Sequence, residues 1–365
     1  MTTSTLGVGI VGLSASGGWA SVAHVPALAA VDGFELRGLA TSSAETARAA
    51  ADLYGVPLAF GSVEELAARD EIDLVVVSVK VPRHRELVLP ALAAGKPVLC
   101  EWPLGNGLAE AVELADAAAG VGGFVGLQGR ALPVVRHVRD LVAGGYVGEV
   151  LSTSLLATSS VWGTPVPPKR AYLLDRANGA SMLTIPFGHL LDSIASALGP
   201  LVELSATTAT RRPEVPEEGT GRTVPVTVED QIAVTGVLAG GAVASFHLRG
   251  VASRATSLLW EIQGTEGEIQ VTGAGGSLNA GGIVVRGAQG GAELAELPVP
   301  AGLDDHPELA DQPGHGVAHT YDRIRRDLAE GTREAPDFAH AVDHHRVLDH
   351  LRRSAADGTR HRTTD

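Results

Sequence analysis

Short Val- and Leu-rich runs alternate with Ala-rich stretches through the first third of the chain, and this alternation constrains the fold more than any other feature. The runs are Leu6–Val11, Phe34–Ala40, 73–79, 97–100 and 124–127; between them lie 21–31, 43–54, 63–69, 83–94 and 108–119. Near-continuous apolar runs suit strands buried on both faces, as in a parallel sheet. Strand alternating with helix implies a doubly wound α/β arrangement. Gly95, after Ala93-Ala94, supplies the C-terminal stop of one helix.

The pattern changes after about residue 125. Residues 132–143 read as a helix, 150–157 as a strand, 159–168 as a Pro-rich loop carrying Trp162, and Gly188–Leu198 as a helix. Apolar and polar residues then alternate through 223–238, 242–251 and 257–271, with turns at Gly240-Gly241 and 264–267. That is the pattern of half-buried strands in a large, mainly antiparallel sheet. Residues 272–303 read as Gly-rich turns and short strands, and His315–Glu330 and 338–356 as closing helices. The length of 365 residues favours two domains. The expected division is an α/β domain over 1–125 and an α+β domain over 126–365.

Composition removes several functional classes. With a formal net charge of −14, the chain is not expected to bind nucleic acid directly or to sit on anionic membranes. The single cysteine, Cys100, excludes an internal disulfide and a CxxC metal site. No run of about 20 apolar residues predicts a membrane-spanning helix. No basic side chain precedes the apolar run at 6–13, which carries three glycines, so it reads as a strand and turn rather than a signal peptide. The expected compartment is the cytoplasm.

The first strand meets the first helix in Gly12-Leu13-Ser14-Ala15-Ser16-Gly17-Gly18-Trp19. A dinucleotide pyrophosphate needs backbone N–H groups at a helix start and no Cβ in the way. Gly12 and Gly17 hold the first and third positions of G-x-G-x-x-G, with Ser14 at the second and Trp19 at the helix start. The literal match at Gly7, Gly9 and Gly12 falls inside the strand. A side chain at Gly12 is expected to obstruct the pyrophosphate while the fold survives. The second strand ends in Thr41-Ser42-Ser43 with no acid to hold an NAD ribose. Hydroxyls of Thr41 and Ser42, with Arg37 if it points that way, favour NADP over NAD; Ser42 alternatively caps the next helix.

Several segments, in order, resemble the glucose–fructose oxidoreductase / inositol dehydrogenase (Gfo/Idh/MocA) family. Ala94-Gly95-Lys96-Pro97-Val98-Leu99-Cys100-Glu101-Trp102-Pro103-Leu104 is similar to its A-G-K-x-V-x-x-E-K-P-x. Gly145-Tyr146-Val147-Gly148-Glu149-Val150 is similar to G-x-I-G-x-V, and Gly264-Thr265-Glu266-Gly267 to its G-T-E-G turn. Pro336-Asp337-Phe338, with Arg346, Ala355 and Gly358, resembles its closing helix. The resemblance implies an N-terminal Rossmann domain, a C-terminal α+β domain on an open sheet, and a homodimer or homotetramer formed through that sheet. The chain departs from the family where its lysine becomes Trp102, its D-x-x-x-H acid becomes Ile185, and its T-P-N becomes Val79-Lys80-Val81. Those variants resemble the branch that includes the fungal galactose-regulon repressor.

The resemblance and the chemistry of hydride transfer nominate the site. His189 is the expected proton donor or acceptor, with Asp192 one helical turn on to orient it. Lys80, at a strand end, stands in for the missing lysine as a charge on the substrate or a contact to the cofactor, or is simply solvated. Glu101 holds the family position near the nicotinamide ribose. Trp102 supplies an aromatic wall for a substrate, or fills the space the lysine left. Val79, Gln128 and Arg130 join the cofactor set, and Lys169, Arg170, Tyr172 and Asp175 a substrate rim. The many C-terminal histidines, His340 and His344 among them, show no complete ligand set, so no metal is expected. The leading expectation is an NAD(P)-dependent oxidoreductase of a sugar-, polyol- or ketone-sized molecule. The alternatives are a dinucleotide-binding regulator without turnover, and redox-neutral glycoside chemistry on held NAD.

Overall fold

The computed structural model describes residues 5–162 and 165–363. The N-terminal tetrapeptide read above against a signal peptide, residues 163–164 of the Pro-rich loop, and the last two residues lie outside the described residues.

The first stretch forms β1 (Leu6–Val11), a π-helical turn (Ala20–His24) running into α1 (Val25–Ala30), β2 (Phe34–Ala40), α2 (Ala44–Tyr54), β3 (Leu58–Phe60), α3 (Val63–Ala67), β4 (Leu74–Val77), α4 (His84–Ala93), β5 (Val98–Glu101), α5 (Leu108–Ala117) and β6 (Gly123–Gly126). The six strands are parallel in the order β3-β2-β1-β4-β5-β6. Val8, Ile10, Leu74, Val76 and Val98 are wholly buried, as strands covered on both faces require. The short β3 was not expected: three half-buried residues at the sheet edge leave little apolar signal. Helix α2 is capped by Ser43, not Ser42; the Ser43 hydroxyl accepts from the Thr46 N–H, and Gly55 closes the helix at φ 68°.

Next come α6 (Pro133–Ala143), β7 (Val150–Thr158), α7 (Gly188–Leu198), β8 (Leu201–Ala209), β9 (Glu214–Pro216), β10 (Thr223–Pro225), β11 (Gln231–Leu238), β12 (Val243–Arg249), β13 (Leu258–Gly264), β14 (Gly267–Gly273), β15 (Val284–Gln289) and β16 (Ala295–Glu296). With β17 (His361–Arg362), nine strands form a sheet ordered β16-β15-β14-β13-β7-β12-β11-β8-β17; its one parallel pair is β7 with β12. The expected strand at 223–238 is interrupted. Pro225 ends a strand that pairs only with β9, while the Asp230 carboxylate accepts from the N–H groups of Arg211 and Arg212. Strand β8 escaped the sequence reading because its Ala- and Thr-rich stretch is buried at irregular positions. One sheet face buries Ile232, Val234, Phe246, Leu248, Trp260 and Ile262; the other leaves Thr235, Ser245, His247 and Gln263 exposed. The Trp260 indole N–H donates to Thr153 Oγ1 at 3.0 Å, so the buried polar atom is paired.

Helices α8 (His315–Glu330) and α9 (Phe338–Asp357) complete the chain. They correct the expected division at 125. The compact units are Met1–Gln128 with His306–His345, and Gly129–Asp305 with Arg346–Asp365. The physical reason is a shared core. Val317, Ala318, Tyr321 and Ile324 of α8 lie in one cluster with Leu28, Val31, Phe34 and Val56, and the Phe34 and Tyr321 rings are 5.4 Å apart. Which core a terminal helix enters is a tertiary property that local periodicity does not carry.

A fragment of residues 1–125 alone is therefore expected to lack cooperative folding, because it exposes the surface that α8 covers. Joining 306–345 through a short linker should restore it. Thermal denaturation followed by circular dichroism reads the difference; a cooperative transition in the short fragment would contradict the division.

Candidate functional site

In the first unit, the predicted cofactor residues all follow the carboxyl ends of parallel strands. Gly12, Ser14, Gly17 and Trp19 follow β1, Thr41 and Ser42 follow β2, Val79 and Lys80 follow β4, Glu101 ends β5 with Trp102 beyond it, and Gln128 follows β6. Since β1 pairs with β2 on one side and β4 on the other, strand order reverses at β1. That is the crevice where doubly wound sheets take ligands.

The glycines divide by role. Gly12 has φ 99°, and a Cβ there would lie 2.3 Å from the Ser78 carbonyl oxygen. The fold itself demands this glycine, which corrects the expectation that a side chain at Gly12 would spare the structure. Gly17 has φ 81°, and its nearest neighbour to a built Cβ is Ser21 Oγ at 3.9 Å; around Gly18 a Cβ meets nothing within 4 Å. This open, exposed cradle at a helix start fits a pyrophosphate. The buried indole N–H of Trp19 and side-chain carbonyl of Gln128 have no hydrogen-bond partner among the described residues, leaving one donor and one acceptor in the first unit for a ligand.

After β2, the Thr41 hydroxyl lies 3.1 Å from the Ser43 carbonyl and 2.6 Å from Thr46 Oγ1, while Ser42 is exposed. Arg37 does not reach this end. Its guanidinium pairs with Glu35 and donates to the carbonyls of Glu71 and Thr5.

Glu101 terminates a buried chain of polar groups. Its Oε1 is 2.9 Å from His24 Nε2, and His24 Nδ1 is 2.8 Å from the Tyr321 hydroxyl. A carboxylate only accepts, so Nε2 carries a hydrogen; in the neutral imidazole, Nδ1 then accepts from Tyr321. Burial, reinforced by the Glu101 charge, pushes the Tyr321 phenol well above its usual range and keeps it protonated. His24 and Tyr321 carried no sequence signal, since the partners lie far apart in the chain.

His84 is a third residue that sequence reasoning missed. Its Nδ1 lies 2.9 Å from the Pro103 carbonyl and its Nε2 3.1 Å from that of Val79, so it ties the β4 end to the turn after β5. Burial lowers its basicity, although the carbonyls favour the charged form. The Trp102–Pro103 peptide in that turn is cis. Trp102 is 4% exposed, and its ring packs tilted against His344 at 4.8 Å and His345 at 4.6 Å on α9. Lys80 is exposed at the end of β4.

In the second unit, the structure pairs Arg130 with Asp192. Arg130 Nε donates to Asp192 Oδ2 at 3.1 Å, and the Asp192 carboxylate is buried. His189 opens α7, and its carbonyl accepts from Ser193 Oγ. A Cβ on Gly129 would meet Ser193 Oγ at 2.4 Å, so glycine lets the 128–131 turn lie against α7. Lys169, Arg170 and Tyr172 lie on a separate short helix, Pro168–Leu174, and Asp175 accepts from the Ala177 N–H. Burial pushes the Tyr172 phenol upward, so this side chain stays protonated.

Residues 6–128 match the family model described as the oxidoreductase family with NAD-binding Rossmann fold, and residues 133–273 match that of the Gal80p C-terminal domain. The chain thus carries a Rossmann domain of the Gfo/Idh/MocA oxidoreductase family followed by a Gal80p-like C-terminal domain. It is 42% identical over 180 residues to the dehydrogenase aclE of Aspergillus oryzae, which covers 48% of this chain and 49% of that protein. The aligned stretch thus spans about half of that relative. Two solved structures share the fold. A super-repressor mutant of Gal80p from Saccharomyces cerevisiae gives a TM-score of 0.88 at 24% identity over 98% of each chain. Levoglucosan dehydrogenase in complex with NADH and L-sorbose gives 0.83 at 21% identity over 99% of each.

The two glycines separate folding from binding. Gly12→Val is expected to unfold the chain or lower its stability severely. Gly17→Ala, which costs about 1–2 kcal/mol for the left-handed backbone, should leave a cooperative fold and weaken dinucleotide binding by roughly tenfold or more. Thermal melts and cofactor titration of both variants test this; unchanged affinity in Gly17→Ala would remove the cradle from the site.

Proposed function

We propose that the protein is an NAD(P)-dependent oxidoreductase of a sugar-, polyol- or ketone-sized substrate, with His189 as acid/base. The observation that carries this reading is the crevice after β1 and β4, where the open Gly17-Gly18 cradle stands at the point of strand-order reversal that suits a dinucleotide. The bound nicotinamide supplies the hydride acceptor or donor. The protein's part is to move the hydroxyl proton, and an imidazole does so near neutral pH. His189 opens a helix whose Asp192 carboxylate is already neutralised by Arg130. The small-molecule reading is supported by the dehydrogenase relative and by the fold shared with levoglucosan dehydrogenase.

The cofactor reading favours NADP over NAD. No carboxylate follows β2 to repel a 2′-phosphate, and the exposed Ser42 hydroxyl is available to one. Calorimetry with both cofactors is expected to give NADP(H) binding at least as tight as NAD(H). A preference for NAD(H) of roughly tenfold or more would reverse the assignment. The half-polar open face of the large sheet is proposed to meet a second copy of the chain.

A specific observation favours a second reading, a dinucleotide-binding regulator without turnover. Trp102 occupies the family's lysine position and is packed under His344 and His345, so no charge is presented there, and the second domain matches that of Gal80p. Turnover separates the two. His189→Ala is expected to lower kcat by about 10²-fold or more with cofactor affinity little changed. Lys80→Met should cost less if Lys80 only tunes charge. Assays of nicotinamide absorbance across sugars, polyols and ketones read both. Full activity in His189→Ala with loss in Lys80→Met would move the proton transfer to Lys80; no turnover with any substrate would favour the regulator.

A further inference from the structure

The C-terminal histidines offer no complete ligand set along α9. His340 and His344 stack with ring centroids 6.3 Å apart, and His344 is engaged against Trp102. The fold assembles a different group within the first unit. His306 is buried just ahead of the short helix Pro307–Leu309, while His319 and Asp322 sit one turn apart on one face of α8. A ligand-type atom from each of His306, His319 and Asp322 lies within 4.8 Å of the other two. The His306 and His319 rings are 5.1 Å apart, and His315, a turn earlier, packs on His319 at 5.2 Å.

Two ring nitrogens and one carboxylate oxygen form a donor set that zinc and its borderline neighbours take. A tetrahedral ion with bonds of about 2.0–2.1 Å needs donors about 3.3 Å apart. His306 Nε2 and Asp322 Oδ2, now hydrogen-bonded at 2.6 Å, would open slightly, and no pair would need to close by more than about 1.5 Å. The second nitrogen of His306, Nδ1, faces Glu308 Oε1 at 3.8 Å. A carboxylate behind a ligating imidazole fixes ring orientation and raises its basicity.

We propose that His306, His319 and Asp322 bind a zinc-class divalent cation, with water completing the coordination. The ion replaces the hydrogen shared by His306 and Asp322 and ties the segment entering α8 to the helix itself. Gly314, just before α8, sits so close to α1 that a Cβ would lie 3.0 Å from the Ala23 carbonyl. The cation therefore steadies the helix that backs the glycine-rich turn.

The test is zinc titration of the metal-free, full-length protein against a chromophoric chelator, with metal content measured by mass spectrometry. The expected result is one equivalent per chain at micromolar affinity or tighter, and a melting temperature that rises with zinc. Asp322→Asn keeps the side-chain shape and a hydrogen bond to His306; it should weaken zinc at least tenfold while the near-ultraviolet dichroism stays native. His306→Asn should do the same, and His340→Ala should leave affinity unchanged. Absence of stoichiometric binding overturns the proposal. So does undiminished binding in both Asp322→Asn and His306→Asn, which would place the zinc on other histidines.

Discussion

The hydrogen-bonded chain from Tyr321 through His24 to Glu101 holds the first unit in register. Its members come from α8, from the turn opening into α1, and from the end of β5. His24 and Tyr321 are fully buried, so each polar atom needs its partner; leaving one unpaired costs about 1–3 kcal/mol. Three elements distant in sequence are thereby fixed relative to the strand ends, and Glu101 is aimed rather than free to rotate. The same contacts explain why α8 belongs to the first unit's core. Tyr321 serves both, its ring packing on Phe34 while its hydroxyl reaches His24.

Much of this architecture was legible in the sequence, and the legible parts share a cause. Elements with unbroken periodicity, such as Leu6–Val11, Phe34–Ala40, Gly188–Leu198 and His315–Glu330, have the bounds their patterns imply. Strand–helix alternation also implied a parallel, doubly wound sheet; the strand order, and with it the reversal at β1 beside Gly12, came from the structure. What failed was information held in partners. Arg37 reads as a phosphate ligand until Glu35 and the Glu71 carbonyl are seen to hold it. Ser42 reads as a cap until Ser43 is found one residue closer to Thr46. A contiguous second domain seemed natural because nothing local says that α8 returns.

Trp102 shows how packing fixes a strand end. A lysine at that position would bring an ammonium against two imidazoles; the indole instead packs on them, with His344 and His345 both buried. The turn is fixed from its other side by His84, which reaches the carbonyls of Val79 and Pro103. This end of β5 is held by packing on both sides, and rigidity serves ligand binding whether or not chemistry follows.

Burial also sets the protonation of several groups. Tyr172 and Tyr321 are held protonated by burial, and Cys100 is buried with its thiol pushed well above its usual range. None of these supplies a base near neutral pH. On α7 the titratable side chains are His189 and Asp192, and Arg130 compensates the Asp192 charge. Losing Arg130 would leave that carboxylate buried without its guanidinium, a change that typically costs about 3–5 kcal/mol. The pair therefore ties the 128–131 turn to α7, the helix that carries His189.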